Sequence, residues 1–438
     1  MTRMPRAALA ALAAATILAG PARAQDPAPL TGEPVSGELT IFLDTSNPAP
    51  RATFEKLIAD FQQLNPDLDI ETTIIDREAY KTQIRNFLTA NAPDVAAWYA
   101  GNRMRPYVEA GLFEDVSDLW DEPEFADLAS TEGALTLDGA QWGVPYTYYN
   151  WGVYYRKDLY DQYGLEAPQD WETLKANCQT LLDNGVKCFT IGTKFLWTAG
   201  GWFDYLNLRT NGYDFHMALT NGEVPWTDDR VRATFANWRE LIDMGAFIDD
   251  HTAYSWQEAL PFMVQGDAAA YLMGNFAVAP LREAGLTDEQ LGFYQFPRVK
   301  EGVEMAEDAP TDTLHIPAQA QNKENARAFL RYVVSPEVQS WINAAGETNE
   351  AGEVTRPGLG QLPVNAKASV GDDVFLESGF AMLSEGAPGG IAQFFDRDTD
   401  AEMAQAAMQG FQEFMVRPDQ LDAILERLER VRERTQGR

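Results

Sequence analysis

The chain has 438 residues, a formal charge of −32 at pH 7, and 45% hydrophobic and 11% aromatic residues. Such acidity excludes a protein that grips nucleic acid or anionic lipid through a basic face. The length exceeds one ordinary core, so two lobes are expected.

Arg3 and Arg6 precede an apolar run from Ala7 to Ala19, and Ala22-Arg23-Ala24 places small residues at A-x-A spacing. This is the layout of a secretory signal peptide over residues 1–24, cleaved near Ala24. The run is too short to span a bilayer, and no Cys follows it to carry a lipid. The mature protein is expected to be exported and soluble, with a Pro-, Gly- and Ala-rich leader over 25–37.

Glu38–Leu43 reads as a first strand with Asp44 in its C-terminal loop. Phe54, Leu57, Ile58, Phe61 and Leu64 then mark one helix face, ended by Asn65-Pro66. A second strand (68–75) follows, then a helix carrying Tyr80, Ile84, Phe87 and Leu88. Pro93 to Gly101 holds a short buried strand opening into a loop. Alternating strand and helix predicts parallel pairing. Asp44, Asp76 and Trp98-Tyr99 then share the carboxyl edge where such sheets bind ligands.

The run Gly143 to Leu159 packs six aromatics into what reads as one extended strand, turning helical from Lys157 and stopping at Tyr163-Gly164. Pro145 biases Val144 away from helix, and Thr, Tyr, Trp and Val suit a pleated surface. It is either a core strand or a crossover flooring a cleft, with rings available for stacking.

Helices are predicted over Trp171–Asp183, Val231–Met244, Ser255–Gln265 and Asn325–Val334. A loop from Phe195 feeds another helix. Strands are predicted over Cys188–Thr193, Asp267–Phe276, Leu291–Pro297 and Leu314–Pro317, and amphipathic helices close the chain. Cys178 and Cys188 are the only cysteines. A helix-turn-strand around Asn184-Gly185 can bring them together, and an oxidising compartment would bridge them; two free buried thiols are the alternative. The pattern is α/β, in two lobes crossed more than once.

Several pieces in order resemble the extracellular solute-binding proteins of ABC importers, of the carbohydrate-binding type. They are Pro93-Asp94-Val95 with Trp98, Gly111-Leu112-Phe113 with Asp118-Leu119, and Gly143-Val144-Pro145 with Tyr154 to Leu159. Pro168 and Trp171, then Phe262, Gly266, Ala268-Ala269 and Met273-Gly274 continue the series. Ala326, Phe329-Leu330 and Ser335-Pro336-Glu337 complete it. Phe276 stands where family members often carry Trp.

The resemblance implies a two-lobed periplasmic fold, each lobe a mostly parallel sheet flanked by helices, with three hinge crossings. These map near Tyr148–Trp151, Phe276–Gly285 and Val334–Pro336. Lobe 1 is then 38–148 plus 282–334, and lobe 2 is 149–281 plus 335–438. It also implies a carbohydrate ligand, capture by hinge closure, membrane permease subunits as partners and a monomeric carrier. No cofactor is expected.

A sugar site needs flat rings and planar polar groups. Trp98, Tyr148, Trp151, Trp197 and Trp202 are the stacking candidates, and Asp44, Asp204, Arg209, Asn275 and Asp312 the polar ones. Each also fits as a core ring, a cap or a surface charge. Lys194 or Arg209 in the cleft would favour a phosphorylated glycerol or a sulfonated sugar; a polyol is the neutral variant, and a ligand-presenting sensor partner uses the same closure. A secreted glycoside-active enzyme remains the rival reading. There is no G-x-S-x-G, P-loop, G-x-G-x-x-G or H-E-x-x-H, and His216, His251 and His315 are isolated, so no metal site is expected.

Overall fold

Strands β1 (Gly37–Leu43), β2 (Leu68–Ile74) and β3 (Val95–Tyr99) alternate with helices α1 (Pro48–Leu64) and α2 (Arg77–Ala90) in the computed structural model. It describes residues 27–45, 47–349 and 353–436, so the expected signal peptide lies outside the described residues. Proline at the first turn starts α1, which buries Phe54, Leu57, Ile58 and Phe61. The Asp76 carboxylate caps α2 by accepting from the Glu78 and Ala79 amides. Asp94 knots the sheet to a distant loop, accepting from Thr40, Gln321 and Asn322. Burial alone would raise its carboxyl, but the hydrogen bonds from Asn322 and Thr40 hold it below the ordinary value.

The chain continues through β4 (Val144–Tyr148), β5 (Trp151–Arg156), α3 (Trp171–Asp183), β6 (Lys187–Phe189) and α4 (Trp197–Asn211). Next come β7 (Ala268–Gly274), β8 (Leu291–Tyr294), β9 (Ala306–Asp308), β10 (Thr311–His315), α5 (Lys323–Val334) and α6 (Pro336–Ile342). The tail holds β11 (Gly390–Ala392), the short α7 (Phe395–Asp398), α8 (Ala401–Val416) and α9 (Leu421–Thr435).

Two large sheets result, in the orders β2-β1-β3-β10-β4 and β8-β5-β7-β6, while β9 pairs with β11 in a small sheet of its own. Each large sheet has its own apolar core, one built from Leu39, Phe61 and Phe329, the other from Trp202, Phe235 and Phe411. In each of the two all strands but one point the same way, so each is mostly parallel with a single reversed strand, β10 in the first and β5 in the second. β1 runs parallel to β2 and β3, but β10 is antiparallel to β3 and β4, and β5 is antiparallel to β7 and β8. Only the βαβ units impose parallel pairing; strands that enter from the other lobe arrive reversed.

The aromatic run is two strands in different sheets. β4 ends at Tyr148 in the first and β5 begins at Trp151 in the second, so the chain passes between lobes at Tyr149-Asn150. The next passage is not near Phe276–Gly285. That stretch is a turn and a short helix whose Val278 and Leu281 join the second core, and β8 still pairs with β5. The switch comes at Ala309-Pro310, between β9 and β10. Nor does the chain leave at Val334–Pro336. Pro336 merely starts α6, whose Val338 and Ile342 stay in the first core with Leu359 and Val364. Phe375 is the next residue in the second core.

Cys178 on α3 and Cys188 on β6 are bridged, with Cα atoms 5.2 Å apart. Closing this short loop is worth about 2–3 kcal/mol. Replacing both cysteines by serine should lower the urea-derived unfolding free energy by that amount. An unchanged value would mean the turn is already formed in the unfolded chain.

Candidate functional site

A cavity of about 370 Å³ is lined from both lobes. From the first lobe come Asp44 after β1, Arg77 at the start of α2, Tyr99 at the end of β3, and Tyr146. Register between β4 and β10 slips at Asp312/Thr313, leaving Tyr146 as the extra residue of a bulge. Bulges re-aim side chains in this way.

This side is a lattice of opposite charges. Arg77 Nε lies 3.4 Å from Asp44 and its Nη2 3.5 Å from Asp312. Arg397 on α7 donates to Asp312 at 2.8 Å, to the Tyr149 hydroxyl at 3.0 Å, and to the Thr311 carbonyl. Arg103 pairs with Asp396. Tyr99 is held between guanidiniums, with Arg397 4.7 Å and Arg103 5.1 Å from its ring centre. Burial pushes the Asp44 carboxyl up, and Arg77 offsets this only in part. Burial likewise holds Lys81 below the ordinary lysine value despite its bond to Glu78. Burial also opposes the Arg397 charge, but Tyr149 and Asp312 outweigh it and keep that side chain firmly protonated. Among the described residues the Arg77 guanidinium has two long ion pairs, which leaves donors free toward the cavity.

The second lobe supplies rings. Trp151 stacks on Phe394, centroids 4.8 Å apart at 27°, and meets the edge of Trp197 at 88°. Phe276 stands edge-on to both Trp151 and Trp256. Gly201 makes room for this wall, since a Cβ there would come 2.6 Å from the Trp151 ring. The α7 segment reaches back to the first lobe. Gly101, at φ +68°, lets the backbone approach so closely that a Cβ would lie 2.5 Å from the Arg397 carbonyl oxygen. Asn102 donates to the Asp398 carbonyl.

Of the residues singled out from sequence, Asp44, Trp151 and Trp197 line the cavity, and Asp312 lies directly behind it under Arg77 and Arg397. The others lie elsewhere. Trp98 points into the first lobe, its indole donating to the Arg103 carbonyl, because neighbours on a strand face opposite ways and Tyr99 takes the cavity side. Tyr148 pairs with Leu362 at the passage between lobes. Trp202 is core, packed against Phe189, Phe247 and Phe296. Asp204 and Arg209 share its helix, which is buried from Thr198 to Thr210. Arg209 is consumed by Glu307 and the Phe296 and Ala306 carbonyls. Asn275 is buried against Asn150, and it is the next residue, Phe276, that lines the cavity. Lys194 sits at the rim, half-exposed and 3.5 Å from Glu258.

Sequence reading missed Arg77, Tyr146, Trp256, Phe394, Asp396 and Arg397 as lining residues. Arg77 had a signal, since it follows Asp76 at the sheet edge. The α7 residues had none, because tertiary folding alone carries them to the cleft.

Among the described residues no helix is long and apolar enough to cross a membrane, and no group of acids, histidines or cysteines could hold a metal ion. Residues 45–340 match the family of bacterial extracellular solute-binding proteins. An uncharacterized ABC transporter extracellular-binding protein of Pyrococcus horikoshii is 23% identical over 315 residues, 70% of each chain. The multiple sugar-binding protein of Streptococcus mutans is 21% identical over 291 residues, 65% of this chain and 68% of that one. Among solved structures, the bacterial solute receptor AcbH, described as preferring β-D-galactopyranose exclusively, superposes with TM-score 0.77 at 26% identity, covering 92% of this chain and all of its own. A chitin oligosaccharide binding protein gives 0.77 at 20% identity, covering 91% and 99%. With two-thirds of its length matched and a cavity enclosed by two lobes, this chain belongs to the bacterial extracellular solute-binding proteins.

Proposed function

We propose that the protein is the periplasmic capture component of an ABC importer, monomeric and released by cleavage near Ala24, which delivers a neutral carbohydrate to membrane permease subunits. The observation that carries this is the two-faced cavity. Trp197 and Phe276, backed by the buried Trp151, offer flat apolar surfaces to sugar C–H faces, while Asp44 and Arg77 opposite them accept and donate hydrogen bonds to hydroxyls. Closure needs no covalent chemistry, because a ligand touching both lobes stabilises the closed state.

Neutrality follows from charge pairing. Asp44, Asp312 and Asp396 are met by Arg77, Arg103 and Arg397, and Lys81 by Glu78, so among the described residues each cation of the floor has an acid partner, which favours a neutral ligand over a phosphate or sulfonate. Arg209 and Lys194, the two cations that would favour an anion, are matched by Glu307 and Glu258. A glycoside-active enzyme would release product; a carrier returns its ligand unchanged.

Thermal-shift and tryptophan-fluorescence titration of the mature protein against neutral mono- and oligosaccharides, polyols, glycerol phosphate and sulfonated sugars tests the reading. A ligand at 100 times its Kd adds about 2.7 kcal/mol of stability. A saturable response to a neutral sugar recovered intact supports the proposal. A response confined to anions, or hydrolysed product, overturns it. For the sugar found, Trp197→Ala should weaken binding about tenfold while the unliganded melting temperature barely moves, because this half-buried ring stacks on ligand more than on core.

A further inference from the structure

We propose that Asp204 and Asp308 share one proton, and that this pair locks the passage between the lobes to the cavity-lining α7 segment until rising pH releases it. Asp308 is the last residue of β9, immediately before the Ala309-Pro310 passage, and Asp204 lies on α4. Both side chains are fully buried. Asp204 Oδ2 accepts from the Phe395 amide at 2.8 Å, which ties it to the first residue of α7. Among the described residues, Asp204 Oδ1 and both Asp308 oxygens find no donor. Two carboxylates cannot occupy such a place without one, since a buried, unpaired charge is far costlier than a retained proton. A proton on one of them supplies the missing donor and makes each the other's partner.

Among the described residues no neighbouring donor comes within hydrogen-bond reach of Asp204 Oδ1 or of either Asp308 oxygen. Arg209 on α4 is spent on Glu307 and two carbonyls, and Tyr205 donates to Glu307. His216, on the helix Tyr213–Thr220, accepts from Asn207 at Nδ1, which places its ring proton on Nε2. That nitrogen is 3.7 Å from Asp204 Oδ1, beyond hydrogen-bond reach. Burial holds His216 down at about 3, so it stays neutral. The remaining groups are acids, Asp396 and Asp398 from α7 and Glu307 from β9, and Arg397, which is turned toward Asp312. Burial raises both members of the pair well above the ordinary carboxyl value, and raises Asp398 to about 7.

The pair sits where leverage is greatest. On one side of 393–398 it holds the Phe395 amide; on the other, Phe394, Asp396 and Arg397 face the cavity. Because the folded values are raised, the contribution to stability is complete below the ordinary carboxyl value and is lost as pH rises toward the folded value. The proton leaves to bulk water, and two adjoining carboxylates then repel at the passage.

The test uses the full mature chain without ligand, comparing wild type, Asp308→Asn, Asp204→Asn and Asp398→Asn from pH 5 to pH 9. Infrared spectra should show a protonated-carboxyl C=O band at pH 7 in wild type that both Asp308→Asn and Asp204→Asn reduce, leaving only the part that Asp398 contributes. The melting temperature of wild type should fall with pH, and that of Asp308→Asn should run flatter, exceeding wild type by about 3 °C at pH 9. Amide exchange over 393–398 should accelerate at pH 9 beyond its intrinsic rate in wild type but not in Asp308→Asn. Absence of the wild-type band overturns the shared proton, and unchanged protection of 393–398 overturns the lock. Band and slope that survive Asp308→Asn undiminished but vanish in Asp398→Asn also overturn it, by placing the proton on Asp398. The infrared and exchange measurements on wild type stand even if a variant fails to fold.

Discussion

Asp312→Ala should cost about 3–5 kcal/mol of unfolding free energy, which is what breaking a buried ion pair from one side costs. The carboxylate is 2% exposed, contacts Arg397 at 2.8 Å and Arg77 at 3.5 Å, and is on the strand β10 that completes the first sheet. Arg397 cannot shed its charge, so removing Asp312 strands a buried guanidinium between Tyr99 and Tyr149. The control is Arg397→Met with Asp312→Leu, in which both charges leave together. That double variant should recover most of the loss, because a buried pair replaced by apolar groups is often neutral. Urea denaturation of the three proteins reads the difference. A single Asp312→Ala variant within 1 kcal/mol of wild type would mean that water reaches the lattice and screens it.

The second large effect belongs to Trp151→Ala. Truncating a buried Trp removes about 3–5 kcal/mol of stability by itself, and here the ring is also the centre of the wall. Phe394, Trp197 and Phe276 all lean on it. Ligand affinity should fall at least about a hundredfold, since the ring's three neighbours lose their positions together. Trp151→Phe keeps a surface for those neighbours to pack on, and should lose far less. Calorimetry with the sugar that gives the largest thermal shift makes the comparison. Affinity that survives Trp151→Ala would show that the ligand rests on Trp256 and Phe276 instead.

The fold was legible wherever one helix or strand could be read from its own residues. Phe54, Leu57, Ile58 and Phe61 do form the buried face of α1, and Trp171–Asp183 is helical end to end, bridging Cys178 to Cys188 as the compartment implied. The one reversed strand of each sheet and the points of passage were less legible, because β5 and β10 choose partners far away in sequence. Trp202 was a stacking candidate because the segment from Phe195 read as a loop feeding a helix, and Arg209 a polar one. Gly200 and Gly201 instead let α4 sink completely into the core under Trp151. Asp44 and Trp197 were readable from loop position. Phe394, Asp396 and Arg397 were not, since nothing local in a C-terminal segment says that it returns to the cleft.

The strand orders also set a sequence of events during synthesis. All four strands of the second sheet come from residues 151–294, whereas the first needs β10, residues 311–315, inserted between β3 and β4. The lobe that begins the chain is therefore the last to close its sheet. As the polypeptide emerges, the second sheet pairs while β3 and β4 still present open edges. That interval, and not the finished protein, is when the chain is most exposed to aggregation and most in need of a holding chaperone.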